Sequence, residues 1–343
     1  MVLALCVGLL AGYLGFTSSS GDERASARLA YVAGPGHVVW LAGADGRNGH
    51  ALGPGENPLV GPNGEAIAAA LPGPQGSALV IYSASGAPRR TYFDAGKVNA
   101  VPEAWSPDSR YLAVALSSSS PGTTSSAGLA IIDWQTGLMR RVANGQIAGA
   151  SFAPAGPDRV VYGLSRSASL SARYDLWACA PDGIAKTRLT DDGRSLNPVW
   201  GPNAIAFDRE HLRRRNTPVY EIWLIAPDGS APRHLTHVPV RTLQDGLVPL
   251  AFSADGTRLL AEFQGLDTSQ TWTIAVASPW VRQMTIAGES VTAGGLSRDG
   301  SSVLVVRGGY LVPPEQGTVE VLPFYGGRPT VLVARGVDPS WNR

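Results

Sequence analysis

Two short sequence markers alternate along this chain, seven copies of each, and one unit is split between the two ends. The pattern predicts an all-β fold: a β-propeller of seven four-stranded blades, closed by pairing of the N- and C-terminal strands, with six blades as the alternative. Composition agrees. The 343 residues include 41 glycines and 26 prolines, about a fifth of the chain, which suits a fold with many turns. Hydrophobic residues make up 44%, enough for a large core.

The first marker is an apolar anchor, a small polar turn and a second apolar run. Its anchors are Val60, Trp105, Phe152, Trp200, Phe252, Leu296 and Trp341, spaced 45, 47, 48, 52, 44 and 45 residues apart. The second marker is an apolar strand, a tight turn and a short basic strand, at 38–46, 78–86, 129–137, 175–183, 221–229, 270–278 and 319–327. In three copies a tryptophan precedes an Asp-Gly at a fixed distance: Trp40/Asp45, Trp177/Asp182 and Trp223/Asp228. Asp-Gly tolerates the positive backbone angles of two-residue hairpin turns. Alternation with period two marks strands in runs such as Tyr111-Leu112-Ala113-Val114 and Ser302-Val303-Leu304-Val305.

A four-stranded unit alone leaves both faces wet, whereas radial stacking buries both and leaves only short edges. The first copy of the second marker has no anchor before it, and the last anchor has no second marker after it. Pro339-Ser340-Trp341 is therefore expected to form the innermost strand of the blade whose next strand begins near Leu29-Ala30-Tyr31-Val32. The repeat is assigned to residues 29–343.

Trp105-Ser106-Pro107-Asp108 followed by Leu112-Ala113-Val114, and Ile222-Trp223 followed by Pro227-Asp228-Gly229 and His234-Leu235-Thr236, resemble the repeat of TolB-type propellers. The same repeat occurs in the propeller domains of prolyl-oligopeptidase-like proteins. The resemblance covers roughly residues 29–343 and implies the propeller fold. Only a short linker precedes the first expected strand, where TolB carries a separate α/β domain, and no hydrolase domain follows the repeat. The resemblance therefore implies the fold, and the departure from TolB counts against a direct Tol-system role.

Residues 2–16 carry no charge and read as an apolar helix, a signal or transmembrane anchor assigned to 1–21 with a linker at 22–28. Leu3-Ala4-Leu5 before Cys6 lack the small residue expected next to a lipidated cysteine. The expected location is the cell envelope, exported or anchored through residues 2–16, with the propeller extracytoplasmic. Cys6 and Cys179 lie in unrelated segments and no disulfide is expected.

The formal charge is +1, with 28 basic and 27 acidic residues, so nothing resembles a nucleic-acid footprint. Strand order places the tight turns on one end of the fold and the long connections on the other. The long connections are 116–128, 165–174, 208–219, 264–270, 307–317 and 238–246. Loops on a rigid scaffold are where binding concentrates, so the long-loop face is the expected interaction face. Its most charged stretch, 208–216, supplies the binding candidates Arg209, His211, Arg213, Arg214 and Arg215, joined by Arg241 from the 238–246 connection. The plain alternative is a solvated loop balanced by Asp208 and Glu210.

No catalytic residue, metal or cofactor is expected. His234 and His237 lie three apart, and on a strand such positions face opposite sides. There is no Gly-x-Ser-x-Gly nucleophile elbow. Asp108, Asp182, Asp228, Asp255 and Asp299 recur at equivalent turn positions, which points to turn chemistry. Inner-strand segments such as Val101-Pro102-Glu103-Ala104 and Val248-Pro249-Leu250-Ala251 are mostly apolar or small. The expected function is a non-catalytic binding scaffold with a protein or envelope-polymer partner. The alternative is a propeller enzyme or carbohydrate-binding protein with its site at the central channel.

Overall fold

The computed structural model describes residues 27–85, 90–118, 127–156, 158–167, 173–212, 218–237, 246–264, 269–278, 280–308 and 312–342. The segment expected to form the apolar helix lies outside them. Among the described residues no helix is long and apolar enough to cross a membrane.

The described chain is all β. Strands β1 (Arg28–Ala33), β2 (Val38–Gly43) and β3 (His50–Pro54) form an antiparallel meander. A four-stranded meander follows: β4 (Glu56–Val60), β5 (Ala66–Pro72), β6 (Ser77–Ser83) and β7 (Arg90–Tyr92). The next is β8 (Val98–Trp105), β9 (Tyr111–Ser118), β10 (Gly128–Asp133) and β11 (Met139–Asn144). Then come β12 (Gln146–Phe152), β13 (Val160–Ser165), β14 (Asp175–Cys179) and β15 (Thr187–Arg188). After these stand β16 (Ser195–Trp200), β17 (Ile205–Leu212), β18 (Pro218–Ile225) and β19 (Arg233–His234). The sixth group is β20 (Gly246–Phe252), β21 (Arg258–Gln264), β22 (Ser269–Ala275) and β23 (Val281–Gln283). A short β24 (Thr285–Ile286) precedes β25 (Glu289–Leu296), β26 (Ser302–Arg307), β27 (Thr318–Pro323) and β28 (Thr330–Val333). The last strand, β29 (Val337–Trp341), returns to pair antiparallel with β1, Leu29 opposite Trp341 and Ala30 opposite Ser340. The split unit is thereby completed by its two ends.

The turns explain why serine and aspartate recur after the anchors. In three units the serine hydroxyl donates to the aspartate carboxylate two residues on: Ser106 to Asp108 at 2.5 Å, Ser253 to Asp255 at 2.6 Å and Ser297 to Asp299 at 2.6 Å. Each serine oxygen also accepts the N–H that opens the next strand, from Tyr111, Arg258 and Ser302 at 2.8, 3.0 and 2.9 Å. The turn is thus closed by side chains that satisfy otherwise orphaned backbone groups. The Asp255 carboxyl is held down to about 2, chiefly by the Ser253 hydroxyl and then by Thr257.

The basic fourth strands have a structural use. Arg90 Nη1 donates to the Trp134 carbonyl at 2.8 Å, Arg140 Nη1 to the Asp182 carbonyl at 3.2 Å, and Arg282 Nη1 to the Tyr325 carbonyl at 3.3 Å. Each bond runs from an outer strand to the third-to-fourth-strand turn of the next unit. Between these tethers and the axis, apolar faces pack unit on unit. Leu129 and Ile131 of β10 share a cluster with Phe152, Val160 and Tyr162 of β12 and β13. Trp341 of β29 packs with Leu29, Tyr31 and Leu304. At Gly46 the φ is +77°, and a Cβ there would stand 2.2 Å from the Leu332 carbonyl oxygen of the preceding unit. Only glycine meets both demands at that turn.

The first strand of each unit touches the first strand of the next, in the cycle β4, β8, β12, β16, β20, β25, β29 and back to β4. Each of these strands carries an irregularity in register two or three residues before its anchor. Such bulges re-aim a side chain out of the period-two pattern. Asn57, Gly149, Asn197 and Asp338 take positive φ there, at +49°, +71°, +44° and +47°. A cavity of about 670 Å³ is lined by residues from each of these groups, among them Trp200, Trp341, Arg159 and Arg298. It lies at the end that carries the first-to-second-strand turns.

The structure corrects one sequence expectation here. Residues 208–212 are not loop: they continue β17 and pair with β18, Arg209 opposite Glu221 and His211 opposite Val219. Glu103 and Asp338 of the inner strands fall at the bulges.

Candidate functional site

The loop end of β16–β19 gathers the charged and aromatic side chains on which a binding reading rests. Alternation along β17 places Phe207, Arg209 and His211 on one face. Alternation along β18 places Glu221 and Trp223 on that same face, since Phe207 pairs with Trp223 and Arg209 with Glu221. His234 of β19 pairs with Trp223 and joins them. Phe207 and Trp223 pack on Val161, Leu176 and Ala178, so this face is turned toward the preceding unit.

Arg209 is fixed from two sides. Its Nη2 lies 2.7 Å from Asp192 Oδ2 in the connection that enters β16. Asp192 is itself oriented, its Oδ1 accepting from the Arg194 N–H at 2.8 Å and the Ser195 hydroxyl at 3.0 Å. The Arg209 guanidinium also stands 4.7 Å from the Trp223 ring centre. Such a cation–π contact contributes about 0.5–2 kcal/mol, more as water is excluded. The side chain is thus held between Asp192 of that connection and Trp223 of β18.

Beside it, three imidazoles surround one buried carboxylate. Glu221 is 4% exposed. Its Oε2 is 2.8 Å from His234 Nε2 and 3.6 Å from His211 Nδ1. The His234 ring stacks on Trp223 at 4.8 Å, and His237 meets His234 edge-on with ring centres 4.0 Å apart. This corrects the expectation that His234 and His237 point apart. β19 ends at His234, so His237 is not bound by strand alternation. Burial holds the His234 imidazole below its usual range, against the pull of the Glu221 carboxylate.

On the opposite face of β17, Asp208 is 1% exposed. Burial pushes its carboxyl up to about 7, although an Asn197 hydrogen bond works the other way. Around the axis Glu103 is likewise raised to about 7 by burial, opposed by a backbone hydrogen bond from Ala150 in the next first strand. Asp338 is raised by burial and accepts from the backbone of Asn57, again in the next first strand. Both carboxyls therefore bridge neighbouring groups at the bulges.

Of the residues singled out from sequence, Arg209 and His211 are brought together here. Arg213, Arg214, Arg215 and Arg241 lie outside the described residues. Sequence reasoning missed Glu221 and Asp192. The Phe207-x-Arg209-x-His211 and Glu221-x-Trp223 alternations were the available signal for the shared face.

Fold and site together define a β-propeller with three histidines and Arg209 gathered around Glu221 and Trp223 at one end. Its fold is shared with solved structures of low sequence identity. TolB from Acinetobacter baumannii is 16% identical, with a TM-score of 0.53 over 92% of this chain and 67% of that one. The β-propeller domain of the trilobed protease from Pyrococcus furiosus is 11% identical, with a TM-score of 0.60 over 86% of each chain. A prolyl endopeptidase is 13% identical, with a TM-score of 0.63 over 89% of this chain and 48% of that one. This chain thus spans about half the length of that peptidase. No protein-family model matches the sequence, and no curated protein matches it significantly.

Proposed function

We propose that this chain is a non-catalytic binding scaffold of the cell envelope: a seven-bladed propeller that presents its long-loop end to a protein or polymer partner. The observation that carries the reading is the immobilised charge at that end. Arg209 is held by Asp192 and Trp223, and His211 lies beside Glu221. Side chains fixed on strands lose little freedom on binding, which favours recognition of an acidic or polar partner. Arg213, Arg214, Arg215 and Arg241 belong to the same proposed binding set. The blade count is supported by the seven first strands that touch in one cycle. The envelope location is supported by the uncharged stretch 2–16, through which the chain would be exported or held at the membrane.

A second reading has its own observation. The axial cavity of about 670 Å³ holds Trp200, Trp341, Arg159 and Arg298, a set suited to a carbohydrate or a small anion.

The readings separate in one experiment. The tagged chain is cross-linked in intact envelopes beside two variants, Arg209→Ala and a Gly/Ser replacement of Arg213-Arg214-Arg215. The scaffold reading expects a specific partner whose recovery falls at least about 10-fold in both variants, the loss of roughly 1.4 kcal/mol. Undiminished recovery from both would refute the loop-end site. Failure to capture any partner, with a sugar or anion altering tryptophan fluorescence, would establish the second reading instead.

A further inference from the structure

We propose that Glu221, His234 and His237 form a binding site for a borderline divalent metal ion of the zinc class, with His211 at its edge. One ligand atom from each of the three lies within 4.8 Å of the others. Two imidazoles and one carboxylate form a recognised zinc donor set that leaves a fourth position open. Nitrogen-rich sites of this kind select zinc-like ions over calcium or magnesium, which take oxygen ligands.

The geometry needs little adjustment. Zinc sits about 2.0–2.2 Å from imidazole nitrogen and carboxylate oxygen, so two donors on a tetrahedral ion stand roughly 3.3 Å apart. His234 Nε2 and Glu221 Oε2 are 2.8 Å apart, and His211 Nδ1 is 3.6 Å from that same oxygen. His237 is the exposed member, so the longest gap closes by rotation of a side chain at the surface.

A plain ion pair between His234 and Glu221 is the competing account. Against it, His234 Nε2 is buried and makes no well-directed hydrogen bond among the described residues, although the oxygen is near. The two atoms converge beside one another and not along an N–H···O line, as donors to a shared cation would. The ring is also held in place from outside. Trp223 stacks on His234, interplanar angle 15°, and Arg209 stands over Trp223. Such stacking fixes the plane of the imidazole before any ion arrives. An ion there would join the exit of β19 to β18. The site stands whether or not that end binds a partner.

The test uses the full chain, stripped with a chelator and titrated with Zn²⁺ by calorimetry and with Co²⁺ by visible absorption. The expected result is one ion per chain and the intense bands of four-coordinate cobalt. His234→Ala and His237→Ala should each weaken binding at least about 10-fold, the lower limit seen when even an outer-shell partner is lost. His50→Ala, in an exposed strand of another unit, should leave it unchanged. His237 is exposed, so its variant tests the site without a threat to folding. Zn²⁺ should also raise the thermal midpoint of the parent and of His50→Ala but not of His237→Ala. No binding by the parent would overturn the proposal. So would unchanged affinity in either His234→Ala or His237→Ala, since both residues are required ligands.

Discussion

Removal of residues 337–343 is expected to abolish cooperative folding of the whole chain, not merely to trim an end. β29 is the innermost strand of its group and lies against β1 on one side and β4 and β25 on others. Trp341 is 8% exposed and packs on Leu29, Tyr31 and Leu304. The Ser340 hydroxyl accepts the Val60 N–H at 3.1 Å in the next unit. Asn342 accepts the Arg28 N–H at 2.7 Å and donates to the Pro62 carbonyl at 3.0 Å. Truncation of one large buried aromatic to alanine costs about 3–5 kcal/mol. Loss of the strand adds its apolar contacts and its ladder, against a total stability of about 5–15 kcal/mol. The truncated chain should show no cooperative denaturant transition by circular dichroism. A transition at the midpoint of the full chain would show that β29 does not close the fold.

Asp208→Asn is expected to remove a pH dependence of stability. The Asp208 carboxyl is raised from 3.8 to about 7 in the folded chain. The folded state therefore holds a proton that the unfolded state has released between those values. Stability from this group is full below the unfolded value and is lost as pH rises through the folded one. Each pKa unit corresponds to about 1.4 kcal/mol, so the loss is on the order of a few kcal/mol. Glu103 contributes a slope of the same sign, raised to about 7 from 4.5. The parent should be less stable at about pH 8 than at about pH 5. Asp208→Asn should shrink that difference and be the more stable of the two at the higher pH. An identical difference in parent and variant, read from denaturant midpoints, would show that Asp208 does not titrate in that window.

Much of the fold was legible because its chemistry is local. Ser-x-Asp turns, Asp-Gly hairpins and anchors at a steady spacing are read directly from neighbouring residues. The basic fourth strands were visible too, although their use as tethers from Arg90, Arg140 and Arg282 to the next unit depends on stacking. The site was less legible for three physical reasons. Charge density at 208–212 looks like loop, yet alternation keeps Arg209 and His211 on a strand face against β18. His237 lies past the end of β19, where strand alternation no longer applies. Bulges defeat the period-two reading of the inner strands, so Glu103 and Asp338 each reach the backbone of the neighbouring first strand. A positive φ at Asn57, Gly149, Asn197 and Asp338 underlies four of those bulges, and three of them carry asparagine or aspartate. Such residues tolerate that backbone region better than most and were the visible trace.

The central functional claim is that the long-loop end meets the partner. Its most direct measurement is photo-cross-linking in intact envelopes from two single positions. One is Arg194, exposed at the loop end; the other is Ala155, exposed at the tight-turn end beside the axial cavity. The scaffold account predicts a discrete adduct from position 194 and none from position 155. An adduct from position 155 with none from position 194 would contradict it and move the site to the opposite end of the propeller.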